Sequence, residues 1–238
     1  MLYNLNAGLW QNCVKIFTSK EYMNMLFEGL GCTLLISFGA AIVGVLLGTL
    51  VAIVKIIPSK GPLMKVLNVI CDVYTTVIRG TPMALQLFIM AFVIFAIRGF
   101  PMEIVAILAF GINSGAYVSE SIRAGILSVD IGQTEAGRAL GLPYSKTIFK
   151  IVIPQAIKNV IPAIGNELIA LIKETSIVSM VGGLYDLTLV AKILGGGDKL
   201  ASFLAPMTVV ALFYLAIVYL LTFVIKLIER RLRASDKR

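Results

Sequence analysis

Long apolar stretches separated by short polar ones dominate the sequence and predict an all-helical membrane protein. Residues 32–54 and 200–225 run for 23 and 26 positions without a charged side chain. An α-helix rises about 1.5 Å per residue, so either stretch can cross about 30 Å of hydrocarbon. Three shorter stretches also qualify. We therefore predict a single domain over residues 1–238 with five transmembrane helices, at approximately 30–54, 80–98, 104–122, 161–183 and 201–226.

Two features refine the first half of this pattern. The segment Leu63–Ile78 is apolar but is interrupted by Lys65 and Asp72. We interpret it as a helix that lies at the membrane face or leads into the second span, and not as a further crossing. In the first span, Gly44 and Gly48 stand four residues apart, a spacing that lets helices approach closely.

The predicted fourth span is unusual because it carries polar side chains. Residues 163–183 read AIGNELIALIKETSIVSMVGG and include Asn166, Glu167, Lys173 and Glu174. Residues seven apart share a helix face, so these four side chains form a polar stripe. If the span begins near Pro162, Lys173 and Glu174 lie near mid-bilayer and Glu167 lies nearer the cytoplasm. Ionisable groups inside a membrane usually face a bundle interior or a water-filled cavity.

Charged residues sort by segment and predict the orientation of the chain. The loop after the first span, the loop between the third and fourth spans, and the C-terminal tail together hold fourteen basic residues and four acids. The basic residues are Lys55, Lys60, Lys65, Arg123, Arg138, Lys146, Lys150, Lys158, Lys226, Arg230, Arg231, Arg233, Lys237 and Arg238. The positive-inside rule assigns such segments to the cytoplasm, so we expect the N-terminus outside and the C-terminus inside. This sorting explains the net charge of +8 without a nucleic-acid partner.

Composition narrows the chemistry further. Apolar residues make up 58% of the chain, charged residues only 14%, and the mean hydropathy is +0.93, as expected of a membrane protein. The absence of histidine excludes histidine-based catalysis, proton relay and metal ligation. Three cysteines in no metal-like spacing, Cys13, Cys32 and Cys71, give no sign of a metal site. The chain also lacks a phosphate-binding Gly-x-x-x-x-Gly-Lys-Ser/Thr loop, so we expect no ATP hydrolysis by this chain.

The predicted cytoplasmic loop at 123–160 is long for a connector and contains two helix signals. Gln133–Leu140 suits a short helix, Gly141 suits the positive φ of a helix C-terminus, and Pro143 prevents continuation. A second helix follows and is expected to end at Pro154, which gives a compact helix–turn–helix.

The same loop carries a recognisable pattern. It reads Glu135-Ala136-Gly137, three residues, Gly141, nine residues, then Ile151-x-Ile153-Pro154. This resembles the EAA signature of permease subunits of binding-protein-dependent ABC importers: Glu-Ala-Ala, three residues, Gly, nine residues, Ile-x-Leu-Pro. Every spacing matches, and the two departures are conservative. The segments RGTP (79–82), NSGAY (113–117), GNE (165–167) and KETS (173–176) resemble the polar amino acid branch of that family.

The resemblance implies a type I ABC importer permease in a bacterial cytoplasmic membrane. It implies a second permease subunit, identical or not, with cytoplasmic ATP-binding subunits that hold ATP and Mg²⁺, and an external solute-binding protein. It also implies a coupling helix that docks into the ATPase. The corresponding coupling residues are Glu135, Ala136, Gly137, Gly141, Ile151 and Pro154. Glu135 would accept hydrogen bonds from the ATPase, and the small Ala136 and Gly137 would keep the helix surface shallow.

Polar side chains in the spans are candidates for the path of a polar amino acid. They are Arg79, Thr81, Asn113, Ser114, Tyr117, Asn166, Glu167, Lys173 and Glu174. The alternative for the charged ones is a structural ion network between helices or between two copies of the subunit, with Arg79, Asp72 and Glu120 as possible partners. Capping of a helix by Thr81 and Pro82 is also compatible with the RGTP segment.

Two other functions remain open from the residues alone. An ion-coupled secondary amino acid transporter would use the same buried acids, but it would give no reason for the EAA-like loop. A membrane scaffold or sensor would use the polar groups for assembly only.

Overall fold

A computed structural model describes residues 2–57, 61–196, 200 and 202–234 of the chain. Its α-helices are α1 (Leu2–Thr18), α2 (Lys20–Ile56), α3 (Pro62–Gly80), α4 (Met83–Ile89), α5 (Met102–Leu127), α6 (Ile131–Ala139), α7 (Tyr144–Thr147), α8 (Ile153–Glu174), α9 (Leu187–Gly195) and α10 (Leu204–Arg233). π-Helical turns at Met90–Ile94 and Ile148–Val152 follow α4 and α7, and a 3₁₀ segment at Thr175–Met180 follows α8. The all-helical class is confirmed. Position 201 of the predicted fifth span, and Lys60, Lys237 and Arg238, lie outside the described residues.

Within the described residues, four helical stretches are long and apolar enough to cross a membrane, or five if one bent pair is a single span. The four are α2, α5, α10 and the continuous stretch Tyr144–Met180. The bent pair joins α3 to Met83–Ile94 at an angle of 109°. The segment 63–78 is therefore the first arm of this bent pair, and the prediction that it lies at the membrane face or leads into the second span stays a prediction.

The close approach predicted at Gly44 and Gly48 is confirmed, and it occurs inside the chain. A Cβ on Gly44 would lie 2.8 Å from Ser114 Oγ of α5. A Cβ on Gly48 would lie 2.8 Å from the carbonyl oxygen of Gly115. The two glycines thus let α2 and α5 pack with their backbones nearly in contact, and α5 is buried over much of its length.

Two apolar clusters hold the helices together. The first joins α2, α4, α5, the end of α8 and the loop after it; its buried members include Ile36, Leu87, Ala91, Val105, Phe110, Leu171 and Val178. The second joins α1, the start of α2, α9 and the start of α10; its buried members include Ile16, Leu26, Leu187, Val190, Leu194 and Val209. The first cluster packs against the middle of α2 and the second against its start, so α2 takes part in both.

The helix α1 has no counterpart among the predicted elements. It ends at Thr18, and Ser19 starts α2 as its N-cap, with its hydroxyl accepting a hydrogen bond from the Tyr22 N–H at 3.4 Å. Ile16 of α1 is fully buried in the second cluster. Sequence reasoning missed α1 because its apolar face is too short to read as a span.

The prediction that the second loop helix ends at Pro154 is wrong. Helical structure runs from Tyr144 through the π-helical turn into α8 and the 3₁₀ segment, as far as Met180. Pro154 falls in the first turn of α8, where a missing N–H is tolerated. The wider π-helical turn before it accommodates the proline ring. Pro162 lies inside α8, which begins at Ile153, ahead of the expected start of the span at 161.

Candidate functional site

The break between α3 and α4 consists of Gly80, Thr81 and Pro82, which together form the corner between the two helices. Thr81 and Pro82 are extended, with ψ of 149° and 134°, which ends one helix and starts the next. The Thr81 hydroxyl donates to the carbonyl oxygen of Val77 at 2.9 Å. Thr81 is therefore the C-cap of α3, and Pro82 is the N-cap of α4 without a side-chain cap hydrogen bond. The expected arrangement, with Thr81 capping the start of a helix and Pro82 in its first turn, is wrong.

A glutamine that the sequence analysis did not single out holds this corner. Gln86 Nε2 donates to the carbonyl oxygen of Ile78 at 2.8 Å and to Thr81 Oγ1 at 2.8 Å. Gln86 Oε1 accepts from Asn113 Nδ2 of α5 at 2.9 Å. Gln86 is a polar side chain in a predicted span, a signal that could have singled it out as it did Asn113; only the tertiary structure shows that the two are joined.

Arg79 and Tyr117 form a second contact between the corner and α5. The guanidinium carbon of Arg79 lies 5.4 Å from the centre of the Tyr117 ring, within cation–π range. Both side chains are exposed on the surface of the chain. Arg79 is thus directed toward Tyr117 on α5, and Tyr117 lies one helical turn after Asn113.

Ser114 and Glu167 link α5 to the polar stripe on α8. Ser114 Oγ is fully buried and, within the described residues, has no hydrogen-bond partner. The Glu167 carboxyl group is its neighbour on α8. Asn166, next to Glu167, is exposed. Glu167 is also near enough to Glu174 for the two carboxyl groups to interact electrostatically, as expected of residues seven apart on one helix.

The depth order expected along the polar stripe stays a prediction. Glu167 lies beside Ser114, and Ser114 lies against Gly44, close to the middle of the charge-free stretch 32–54. Since α8 begins at Ile153, Glu167 lies closer to the loop at 123–160 than Lys173 and Glu174 do, as expected.

Lys173 and Glu174 line an open groove at the end of α8. Its volume is about 320 Å³, and its lining residues are Ala170, Lys173, Glu174, Ser176 and Ile177. No ion pair within 4 Å joins Glu167, Lys173 or Glu174 to another described side chain. The charged end of α8 therefore faces space that a small polar molecule can enter.

The partners considered for a structural ion network are engaged elsewhere. Arg79 lies over Tyr117. Asp72 and Glu120 both bind Lys55 of α2, at 3.1 and 2.9 Å. Within the described residues, the charged side chains of the polar stripe thus form no ion pair with Arg79, Asp72 or Glu120. Among the described residues, no group of three or more cysteine or acidic side chains is placed to hold a metal ion.

The EAA-like loop folds as a helical hairpin. α6 begins after Asp130, whose carboxylate accepts from the Gly132 N–H at 2.7 Å. It ends at Ala139, and Gly141 just after it has the predicted positive φ of +79°. The N–H of Leu142 donates to the carbonyl oxygen of Gly137 at 3.1 Å, which is the hydrogen bond of a Schellman motif. The predicted helix and its glycine stop are both confirmed.

Gly137 is where the hairpin closes. A Cβ at this position would lie 2.7 Å from Thr147 Cγ2 and 3.3 Å from Ile151 Cδ1. Gly137 is buried, whereas Glu135 and Ala136 are exposed on the outer side of α6. Leu140 and Phe149 also expose 81% and 70% of their surface, so the hairpin presents an apolar surface beside Glu135.

These features define a helical membrane permease with a sharply bent helix pair and an exposed loop hairpin, and comparison with known proteins agrees. The chain belongs to the family described as binding-protein-dependent transport system inner membrane component, whose sequence model matches residues 44–234. It is therefore an inner membrane component of an ABC transport system. Membership implies an ATPase and a solute-binding protein as partners.

Individual relatives are similar over nearly their whole length. The arginine transport system permease protein ArtQ of Bacillus subtilis is 41% identical over 213 residues, 89% of this chain and 94% of ArtQ. A putative glutamine transport system permease protein GlnP of Rickettsia typhi is 40% identical and covers 90% and 96%. The L-cystine transport system permease protein TcyB of Bacillus subtilis is 36% identical and covers 90% and 88%.

Solved structures agree on the fold. A crystal structure of an amino acid ABC transporter with histidines matches with a TM-score of 0.81 and 37% identity, over 89% of this chain and 95% of the other. An inward-facing structure of the MetNI methionine ABC transporter matches with a TM-score of 0.73 over 90% and 99%, and at 20% identity it shows the fold alone. These likenesses support the importer permease fold and not an ion-coupled secondary transporter.

Proposed function

We propose that this chain carries a polar amino acid through the membrane by alternating access, with ATP hydrolysis on separate subunits as the driving force. The observation that carries the proposal is the turn of α5 from Asn113 to Tyr117. Asn113 and Tyr117 contact the broken corner, and Ser114 faces Glu167 of α8. Polar groups of three helices therefore meet along one stretch of α5. The relatives named for arginine, glutamine and cystine transport support this class of substrate.

An amino acid needs complementary groups for its carboxylate and its ammonium group. Arg79 and Lys173 supply positive charge, and the Thr81 hydroxyl can donate to a carboxylate. Glu167 and Glu174 supply negative charge, and the amides of Asn113 and Asn166 can accept from an ammonium group. The groove at Lys173 and Glu174 is large enough for such a molecule. The buried Ser114 hydroxyl has unused hydrogen-bonding capacity beside Glu167.

The loop hairpin is the coupling element of the proposal. Glu135 and Ala136 are exposed and would contact the ATPase, which binds ATP and Mg²⁺. Gly137 and Ile151 hold α6 against the π-helical turn that leads into α8. Pro154 stands at the start of α8. Movement of the ATPase would therefore be passed to the helix that carries the polar stripe.

Reconstitution tests the proposal directly. Proteoliposomes would contain this chain, its ATPase, its second permease subunit if there is one, and the solute-binding protein. We expect uptake of radiolabelled arginine or glutamine that requires ATP. Uptake that persists without ATP, or that an ion gradient alone drives, would refute it.

Two variants separate the proposed roles. Glu167→Gln should lower kcat/KM for uptake about 10- to 100-fold, because a charged hydrogen bond is lost from the path. The matched control is Glu28→Gln, an exposed residue of α2 that should leave uptake unchanged. Glu135→Ala should lower the ATPase activity stimulated by loaded binding protein without changing amino acid specificity. Equal loss in Glu167→Gln and Glu28→Gln would contradict the assigned path.

The orientation is tested by thiol labelling. In a background without native cysteines, Lys20→Cys should react with an impermeant maleimide on intact cells, because the N-terminus is proposed to lie outside. Arg231→Cys should react only after the membrane is opened. Both residues are exposed on the chain surface, so accessibility within the protein does not decide the result.

A further inference from the structure

The broken corner lacks one backbone hydrogen bond that a continuous helix would make. In a continuous helix the carbonyl oxygen of Ile78 would accept from the N–H of residue 82. Residue 82 is proline and has no N–H. Gln86 Nε2 takes that place and donates to the Ile78 oxygen at 2.8 Å, while it also reaches the hydroxyl and carbonyl oxygens of Thr81 at 2.8 and 3.2 Å.

The other end of the same amide is attached to a different helix. Gln86 Oε1 accepts from Asn113 Nδ2 at 2.9 Å, and Asn113 is only 5% exposed. The carbonyl oxygens of Ile78 and Thr81 can only accept, so the Gln86 amide can bond to both sides in one orientation only, with its two N–H donors shared among the oxygens of the corner. The NH₂ group must face the corner and the oxygen must face α5. A single side chain therefore joins the end of α3, the start of α4 and α5.

We propose that Gln86 is the positioning residue of the transport path. It fixes the corner that carries Arg79 and Thr81 at a set distance from Asn113 and Tyr117 on α5. This role rests on the proposed function, because it matters for transport only if these groups meet the amino acid. Gln86 acts through its neighbours and not by touching the substrate itself.

The geometry of the corner makes this role specific. Tyr117 lies one helical turn after Asn113 on α5, and Arg79 lies one residue after Ile78 on α3. Gln86 thus bridges Ile78 to Asn113, while the contact between Arg79 and Tyr117 lies alongside that bridge. Without the bridge, the extended residues Thr81 and Pro82 would be held in place only by the packing of α4 in the first apolar cluster, which does not fix the end of α3 against α5. The guanidinium group would then lose its fixed position over the ring.

The chain offers a matched control for a bond between the same two helices. The Tyr74 hydroxyl of α3 donates to the carbonyl oxygen of Ile112 of α5 at 2.6 Å. This bond also ties α3 to α5, but it does not involve the corner. Tyr74→Phe removes it at nearly constant volume. A general loosening of α3 against α5 would appear in both variants, whereas loss of positioning at the corner would appear only when Gln86 is changed.

Transport kinetics supply the first test. We expect Gln86→Leu in the reconstituted importer to raise KM for amino acid uptake about 5- to 30-fold, because the binding groups lose their fixed geometry. The maximal rate of ATP hydrolysis should be nearly unchanged. Tyr74→Phe should leave KM within about twofold of the wild type. Gln86→Glu keeps the size and the acceptor for Asn113 but removes the donors, and should behave like Gln86→Leu.

Distance measurements give a second test that does not require transport. Spin labels would be placed at Gly80→Cys, where a new side chain meets nothing within 4 Å, and at Leu127→Cys, which is 70% exposed. The distance distribution should broaden in Gln86→Glu and stay narrow in Tyr74→Phe. An unchanged distribution together with an unchanged KM in both Gln86 variants would overturn the role of Gln86. If proteoliposomes with the wild-type importer showed no ATP-dependent uptake, the proposed function would be overturned instead.

Discussion

The ammonium group of Lys55 lies 2.9 Å from Glu120 Oε1 and ties the end of α2 to the end of α5. The same ammonium group lies 3.1 Å from Asp72 of α3, and Glu120 also binds Arg123 at 2.9 Å. The Lys55 and Glu120 side chains are 14% and 20% exposed, so solvent screens this pair only weakly. Three helices are thus joined by one cation immediately before the loop hairpin.

Removal of this cation should destabilise the chain. Lys55→Met keeps the apolar stem but leaves Glu120 and Asp72 without their shared partner. We expect the free energy of unfolding to fall by about 1–3 kcal/mol. Arg123→Gln is the matched comparison, because the Arg123 side chain is 45% exposed and its ion pair with Glu120 lies within α5. It should cost less than about 1 kcal/mol. Thermal or denaturant unfolding in detergent measures both, and equal losses would contradict the central role of Lys55.

The glycine contact between α2 and α5 gives a second prediction. Gly44→Leu should destabilise the fold by about 1–3 kcal/mol or more, because its side chain would overlap Ser114 at the helix interface. Gly31→Leu on the same helix should be tolerated, since a Cβ there meets nothing within 4 Å. The melting temperatures of the two purified variants test this difference in stability. Similar melting temperatures would contradict the prediction that the close contact between α2 and α5 stabilises the fold.

Neighbouring residues of α6 should separate folding from coupling. Gly137→Leu should lower thermal stability as well as ATPase stimulation, because its side chain would collide with Thr147 and open the hairpin. Ala136→Leu should lower only ATPase stimulation, because Ala136 is exposed. Melting curves of the permease and ATPase assays of the full complex give the two readouts. Loss of stability in Ala136→Leu would show that this face of α6 is packed in the chain.

Asp186 gives a prediction about pH. It precedes α9 and is fully buried, and its carboxylate accepts from the N–H groups of Thr188 and Leu189 at 2.9 and 3.0 Å. Burial raises the pKa of Asp186 above its ordinary value of 3.8, although these hydrogen bonds oppose the rise. The folded chain therefore holds this proton more tightly than the unfolded chain. The stability due to the group is complete below the ordinary pKa and is lost as pH rises through the raised pKa.

Substitution should remove that dependence. Asp186→Asn keeps an acceptor for the cap but does not titrate, so its stability relative to the wild type should increase as the pH rises from acidic to neutral. Asp186→Ala also removes the titration but loses the cap, and should be less stable than Asp186→Asn by about 1 kcal/mol at every pH. Melting temperatures across that pH range test both. Parallel pH profiles for the wild type and Asp186→Asn would contradict the prediction.

The sequence predicts those parts of the fold that depend on local patterns. Apolar stretches located the long apolar helices, Gly44 and Gly48 marked a close contact, and Gly141 marked the end of α6. Each of these signals is contained within a few neighbouring residues. The end expected at Pro154 was wrong because a proline in a first turn is compatible with a helix that continues from a π-helical turn.

The parts that the sequence did not reveal depend on residues distant in the chain. Gln86 is 27 residues from Asn113, and neither residue alone indicates that the two share a hydrogen bond. The packing of Glu167 beside Ser114 of α5 could likewise be read only from the structure. The candidate residues Asn166, Lys173 and Glu174 were found by their polarity, and their contacts with an amino acid stay a prediction.

The uninterrupted path from the loop hairpin into α8 has a mechanical consequence. α8 alone has 22 residues, which corresponds to a rod of about 33 Å at about 1.5 Å per residue. A tilt of only ~5° at its Ile153 end would displace Glu174 by ~3 Å, by the same rise per residue. Such a shift is comparable to the length of one hydrogen bond. A small rotation at the hairpin is thus enough to exchange one set of polar contacts for another at the far end of the rod.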